Sequence, residues 1–154
     1  MLHLVQAPVS SPDLALPESS ILVDRRDLSR RRWRLSTEDG HDFGFVLARP
    51  LQHGDTIAEV SGRRYVLSQR PEPVLAVSLR LAPSASAGLG WAVGNLHLEA
   101  SADAERFVVA DTPAGRQLLA RLGLPFTSTD EVFRPGRFAR GTLPDHELGP
   151  SHQH

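Results

Sequence analysis

Two prolines one residue apart, Pro71 and Pro73, constrain the fold of this chain more than any other feature. A proline has no backbone donor for a sheet and restricts the residue before it, so residues 70–73 are expected to interrupt any strand. A chain of 154 residues is long enough for two small domains. We therefore predict a first domain over residues 1–72 and a second over residues 73–135.

The first half is predicted to consist of strands alone. It contains short aliphatic runs separated by Asp-Gly, His-Gly and Ser-Gly turns, without a helical period of useful length. Residues 32–35 and 43–47 flank residues 38–40, where an Asp-Gly pair supplies the positive φ of a tight hairpin turn. Two further strands are expected over residues 56–60 and 64–67.

The second half alternates strands with helices. Thr112 and Pro113 are typical of a helix start, and Gly123 is typical of a helix end. Strands are predicted over residues 74–81, 97–100, 107–110 and 125–133, and helices over 83–94 and 112–122. The order strand, helix, strand, strand, helix, strand is the ferredoxin-like arrangement, so the chain is predicted to be α+β.

Composition excludes several classes of function. The chain has no cysteine, so a metal site must use His, Asp, Glu or backbone oxygen. The net charge of -1 does not supply the positive field that non-specific nucleic-acid binding needs.

No long apolar run or signal pattern is present, which predicts a cytoplasmic protein without membrane contact. No catalytic motif is recognisable, so an enzyme is not expected.

Histidines near the end of the predicted first helix and in the last residues are the candidate metal ligands. Gly94-Asn95-Leu96-His97 places His97 where a helix end can hold it. Pro, Gly, polar residues and His dominate after Arg134, so a flexible tail is expected over 136–154, from which His152 and His154 are able to reach the same ion. The alternatives are a structural role for His97 and a solvated polar tail.

A set of short motifs occurs in a fixed order along the chain. They are the run from Arg30 to Leu35 leading through Asp39-Gly40 to Phe43-Gly44, residues 51–55, Pro71-Glu72-Pro73, Gly94-Asn95-Leu96-His97, residues 118–123 and Phe133-Arg134-Pro135. Together and in this order they resemble UreE-type urease accessory proteins over nearly the whole chain. We therefore interpret the chain as similar to that family.

This resemblance implies a homodimeric nickel metallochaperone. It implies an N-terminal domain similar to a peptide-binding module and a C-terminal ferredoxin-like metal-binding domain. The motif histidine of such proteins lies at the dimer interface and binds one ion with its symmetry mate, a role that falls on His97. The partners implied are the urease apoprotein and the urease accessory GTPase. Imidazole ligands also suit zinc and copper.

Departures from the family pattern leave a second interpretation open. Many members carry a further histidine where this chain has Ala92, an arginine where it has Leu96, and a histidine near Thr112 and Pro113. Loss of these groups predicts few ions per dimer. A protein-binding scaffold of the same fold with a degenerate metal site is therefore the first alternative to a nickel carrier.

An arginine cluster supports a third interpretation. Arg30, Arg32 and Arg34 share one face of a predicted strand, and Trp33 lies on the other. A basic strip beside an aromatic side chain is a pattern that RNA-binding β modules use. Nearby carboxylates neutralise much of this charge, and a solvated strand face or a protein partner explains the pattern better than RNA does.

Overall fold

The chain is a mixed α+β protein that divides into two compact units. The computed structural model describes the backbone of residues 1–140 and 143–147 and the side chains of residues 1–138. The first unit comprises Met1–Arg70 and the second Pro71–His154. The division therefore lies next to Pro71. Among the described residues, no helix has the length and apolar character needed to cross a membrane.

The first unit contains two three-stranded sheets and one helical turn. Its elements are β1 (Leu2–Val5), β2 (Glu18–Val23), α1 (Arg25–Leu28), β3 (Arg32–Ser36), β4 (Asp42–Val46), β5 (Thr56–Val60) and β6 (Arg63–Gln69). The strand orders are β1-β4-β3 and β2-β6-β5, and in each sheet the first strand is parallel to the middle one. The sequence predicts strands only and misses α1, because a single turn with one buried residue, Leu28, has no visible period.

The hairpin of β3 and β4 is confirmed. Thr37 N donates to His41 O over 2.9 Å and Gly40 N donates to Thr37 O over 3.0 Å, which closes a three-residue loop. Gly40 has φ +87°, a conformation that glycine adopts without strain. Trp33 stacks on Phe45 across the strands, with ring centroids 4.0 Å apart. The turn and the aromatic pair together fix the register of the sheet.

The second unit contains a four-stranded antiparallel sheet and two helices. Its elements are β7 (Glu72–Ser78), α2 (Pro83–Asn95), β8 (Ala100–Ala102), β9 (Arg106–Ala110), α3 (Pro113–Arg121), β10 (Thr127–Glu131), β11 (Arg137–Arg140) and β12 (Leu143–Glu147). The strand order of the larger sheet is β10-β7-β9-β8. Leu75 and Val77 of β7 pack with Leu89 of α2 and Leu119 of α3 in its core.

Both predicted helices are confirmed, and the ends of the strands differ. Helix α3 begins as predicted, with the Thr112 hydroxyl accepting from Gly115 N over 3.1 Å. β7 includes Pro73, although proline has no backbone N–H to donate. Pro73 lies near the start of the strand, and its carbonyl accepts a hydrogen bond from Asp111 N. The strand predicted over residues 97–100 begins only at Ala100, because the residues before it end α2.

The segment after Arg134 is more regular than its composition indicates. A flexible tail is predicted over 136–154, but in the described part of that segment β11 pairs antiparallel with β12. Gly136 N donates to Ala100 O over 2.7 Å, and the half-buried Phe138 ring contacts Phe107 with centroids 6.2 Å apart. These two contacts attach the segment around β11 to β8 and β9, which overrides the local preference for an irregular chain.

One carboxylate ties the hairpin loop to the core of the first unit. The buried Tyr65 donates its hydroxyl to Asp39 over 2.5 Å, and Thr37 donates a second hydrogen bond to the same carboxylate. The hydrogen bonds from Thr37, which has the larger effect, and from Tyr65 lower the pKa of Asp39 below 3.8. Burial, which has the larger effect, and the hydrogen bond to Asp39 raise the pKa of Tyr65 above 10.0.

This arrangement predicts an acid-sensitive contribution to stability. Since the pKa of Asp39 is lowered by folding, its carboxylate stabilises the fold above pH 3.8, and this effect is lost as the pH falls through the lower folded value. We expect Asp39→Asn to lower the thermal midpoint at pH 7 and to have a much smaller effect near pH 3. Glu38→Gln in the same loop is the control. Equal effects of Asp39→Asn at both pH values would contradict this account.

Candidate metal centre

His97 lies immediately beyond the C-terminus of α2 in a left-handed backbone conformation. Its φ is +52°, and Ser61 is the other non-glycine residue with positive φ among those described. His97 N donates to Gly94 O over 3.0 Å and Leu98 N donates to Val93 O over 3.1 Å. This pair of bonds is the Schellman motif, which satisfies carbonyls that the helix end leaves free. The backbone of His97 is therefore fixed by the helix itself.

The residue after His97 anchors this turn in the core. Leu98 is half-buried and packs against the cluster that includes Val93, the apolar contact that accompanies this type of helix end. His97 itself is exposed. Because the backbone on both sides is held by hydrogen bonds and packing, the imidazole projects outward from a rigid position.

Helix α3 ends in the same way but uses glycine. Gly123 has φ +65°, its N–H donates to Ala120 O, and Leu124 N donates to Leu119 O. A residue with a Cβ pays about 1–2 kcal/mol for this conformation. The end of α3 thus has an unstrained glycine in this conformation, whereas the end of α2 has a strained residue, His97. Because strained backbone of this kind clusters at functional sites, the conformation keeps His97 as the candidate metal ligand.

The outer face of α2 beside His97 is smooth and apolar. Trp91 is 72% exposed and Leu96 is 46% exposed. A Cβ added at Gly88 or Gly94 would meet no atom within 4 Å. The opposite face is buried through Leu89, Ala92 and Val93. A large exposed aromatic on a helix with little side-chain bulk is typical of a contact surface.

The two positions where the resemblance implies further histidines serve other purposes. Ala92 is buried in the core of the second unit, and its small side chain fits between α2 and the sheet. Pro113 occupies the first position of α3, next to the capping residue Thr112. Neither side chain can act as a metal ligand.

The remaining candidate ligands are not brought to His97 in the described part of the chain. His152 and His154 lie outside the described residues. The backbone of His146 belongs to β12 and is opposite Phe138 in the hairpin. Among the side chains that the structure describes, no group of three or more His, Asp or Glu residues is arranged to hold an ion. A metal site at His97 would therefore need ligands from outside the described side chains of this chain.

Three histidines of the first unit have specific contacts. His3 Nε2 and His41 Nδ1 lie 3.2 Å apart, and both side chains are half-buried. His53 Nδ1 accepts from Gln69 N over 2.9 Å. The pairing of His3 with His41 was not visible in the sequence, because it depends on a strand contact between residues 38 positions apart.

The arginine cluster has the character of an exposed edge strand. Arg32 and Arg34 point outward on β3, whereas Trp33 and Leu35 are half-buried. Arg30 forms an ion pair with Asp27 over 3.0 Å. Since Trp33 is stacked on Phe45 inside the sheet, it is not an exposed platform for a nucleobase. The strip fits a solvated strand face better than an RNA-binding surface.

Comparison with known proteins places these features in one family. Residues 72–154 match the family described as UreE urease accessory protein, C-terminal domain. The chain is 35% identical to urease accessory protein UreE of Deinococcus radiodurans over 83% of this chain and 82% of that protein. It is 30% identical to the UreE of Chelativorans sp., covering 88% and 87% of the two chains.

A third relative shows the same extent of similarity. The chain is 30% identical to urease accessory protein UreE 1 of Brucella suis, over 81% of this chain and 78% of that protein. The proteins of this family are accessory proteins and not enzymes, in agreement with the lack of catalytic motifs. From the matched domain and from relatives that align along most of its length, the chain belongs to the UreE family of urease accessory proteins.

Proposed function

We propose that this protein is a nickel metallochaperone that delivers nickel during assembly of the urease active site. The observation that carries the proposal is the strained left-handed backbone of His97 at an exposed helix end. A neutral imidazole is a suitable ligand for nickel, and also for zinc and copper. Membership of the UreE family supports nickel as the cargo.

In this proposal two copies of the chain meet across the outer face of α2. A two-fold axis brings the same residue of both copies together, so one histidine per chain provides two imidazole ligands. The exposed Trp91 and the open glycines beside it support this face as the contact surface. His152 and His154 of the terminal segment would complete the coordination in each copy.

The two units have separate roles in this proposal. The second unit would be a ferredoxin-like metal-binding domain, supported by its order of strands and helices. The first unit would be a domain similar to peptide-binding modules, which contacts the urease apoprotein or the accessory GTPase in the cytoplasm. The competing function is a scaffold that keeps the fold and has lost the cargo, and the absence of ligands at Ala92 and Pro113 favours it.

Substitution of His97 separates a ligand role from a structural role. His97→Gly should relieve the backbone strain and raise the free energy of unfolding of the metal-free protein by about 1 kcal/mol. The same substitution should abolish tight nickel binding, measured by calorimetry on the tag-free protein. The matched control is Gly123→Ala, which introduces the same type of strain at the end of α3 without adding a ligand. It should destabilise by about the same amount and leave nickel binding unchanged.

Two outcomes would decide against the carrier. Tight nickel binding that survives His97→Gly would show that His97 is not the central ligand. Absence of tight binding in the natural sequence would favour the scaffold. One tightly bound ion for every two chains, at the shared His97 centre, is the stoichiometry that the proposal requires.

The contact surface on α2 leads to a second test. Trp91→Glu places a charge on the proposed interface and should dissociate the dimer, because a buried unpaired charge is costly. Nickel affinity should fall with it, since the two copies of His97 then separate. Leu14→Glu, at a residue of the first unit that is 76% exposed, is the control. The mass in solution, measured by light scattering, should stay dimeric in the control and become monomeric in the variant.

A further inference from the structure

His3 and His41 form a pair of imidazoles at one edge of the first unit. His3 lies on β1 and His41 directly precedes β4, and the parallel pairing of these strands puts His3 opposite Phe43. The Nε2 atom of His3 is 3.2 Å from the Nδ1 atom of His41, and the ring centroids are 5.3 Å apart. Two ring nitrogens thus face each other without any intervening protein group.

The surroundings of this pair hold both rings in place. The His3 ring lies 5.3 Å from that of Phe43, and the His41 ring lies 5.4 Å from that of Tyr65, in an edge-on arrangement. Both histidines are half-buried, so one side of the pair faces solvent. The Asp39 carboxylate accepts the Tyr65 hydroxyl in the same region, in the loop that leads to His41. An anionic group close to the pair favours a cation there.

The spacing of the two nitrogens suits a shared metal ion. Imidazole nitrogens bind nickel-like and zinc-like ions at about 2.0–2.1 Å, which places two ligands of a tetrahedral ion about 3.4 Å apart. Two ligands at a right angle would be about 2.9 Å apart at the same bond length. The observed 3.2 Å falls between these values, so the separation of the two nitrogens matches that of two ligands of one ion.

An ion can bind between the two rings without the release of a proton to solvent. In the metal-free pair one of the two facing nitrogens carries the hydrogen that the other accepts. When that hydrogen moves to the other nitrogen of its own ring, both facing nitrogens present lone pairs and both rings remain neutral. An ion can then take the place of the shared hydrogen, and no proton is released to solvent.

We propose that His3 and His41 bind one divalent ion of the nickel or zinc type in each chain, separately from His97. Water completes the coordination, since no third His, Asp or Glu among the described side chains is arranged with them as a ligand. A site with two protein ligands and an open side exchanges its ion readily. This site lies in the first unit and does not depend on the proposed role of His97.

The single tyrosine of the chain provides a local reporter for the test. Tyr65 is the only tyrosine, so protein labelled with ¹³C in the tyrosine ring gives one set of ring signals. We expect paramagnetic Ni²⁺, added to the metal-free full-length protein, to broaden these signals because His41 is adjacent to Tyr65. Prior addition of Zn²⁺, which is diamagnetic, should compete with Ni²⁺ and prevent the broadening.

Substitutions assign the effect to the two histidines. In His3→Gln and in His41→Gln the Ni²⁺ concentration for half-maximal broadening should rise at least tenfold. Glutamine keeps a hydrogen-bonding side chain, and the Tyr65 signals report whether each variant is folded. His53→Gln, at another histidine of the same unit, and His97→Gln should behave like the natural sequence.

The proposal has clear failing outcomes. It is overturned if Ni²⁺ in tenfold excess leaves the Tyr65 signals of the natural sequence unchanged, or if both variants broaden as the natural sequence does. Loss of broadening in His97→Gln would also overturn it, because the site would then belong to the His97 centre. A negative result here leaves the test of His97 by calorimetry unaffected.

Discussion

The left-handed backbone at the end of α2 determines how the candidate metal centre is presented. Two backbone hydrogen bonds, from His97 to Gly94 and from Leu98 to Val93, close the helix without using any side-chain atom of His97. Leu98 then anchors the chain in the core. Neither the two hydrogen bonds nor the packing of Leu98 involves the imidazole. The ring can therefore bind an ion while the backbone of His97 is held rigidly. A ligand on such a support needs little ordering when an ion arrives.

The packing of α2 shows how one exposed histidine per chain could be enough in the proposed dimer. The helix buries Leu89 and Val93 against its own sheet and leaves Trp91 on the outer side, next to glycines that add no bulk. In the proposed dimer such a face lets two backbones approach closely, and symmetry doubles whatever ligand lies at its edge. In the proposed dimer, the strained residue His97 and the exposed Trp91 would belong to the same interface.

The sequence predicts best where local chemistry decides the structure. Helix α3 follows from Thr112, Pro113 and Gly123, and the first hairpin follows from its Asp-Gly turn, because caps and turns depend on neighbouring residues. The conformation of His97 could not be predicted in the same way. Glycine is the usual residue at this position of a helix end, so the sequence predicts that α2 ends at Gly94. In the structure, the contact of Leu98 with the core places the end of the helix later in the chain. Phe138 and the pair of His3 with His41 were hidden for a related reason, since both depend on contacts between distant segments.

The residues that limit the ligand set also explain how a carrier of this design would release its cargo. A buried Ala92 and a helix-initiating Pro113 contribute to folding at positions where the resemblance to the family implies histidines. Each imidazole that is absent removes a bond that would have to break during transfer. A site with two central imidazoles and distant accessory ligands binds less tightly than a closed four-ligand cage, and it offers open positions to a recipient protein. Fewer ligands thus reduce storage capacity while they favour exchange, which is the property that delivery of an ion requires.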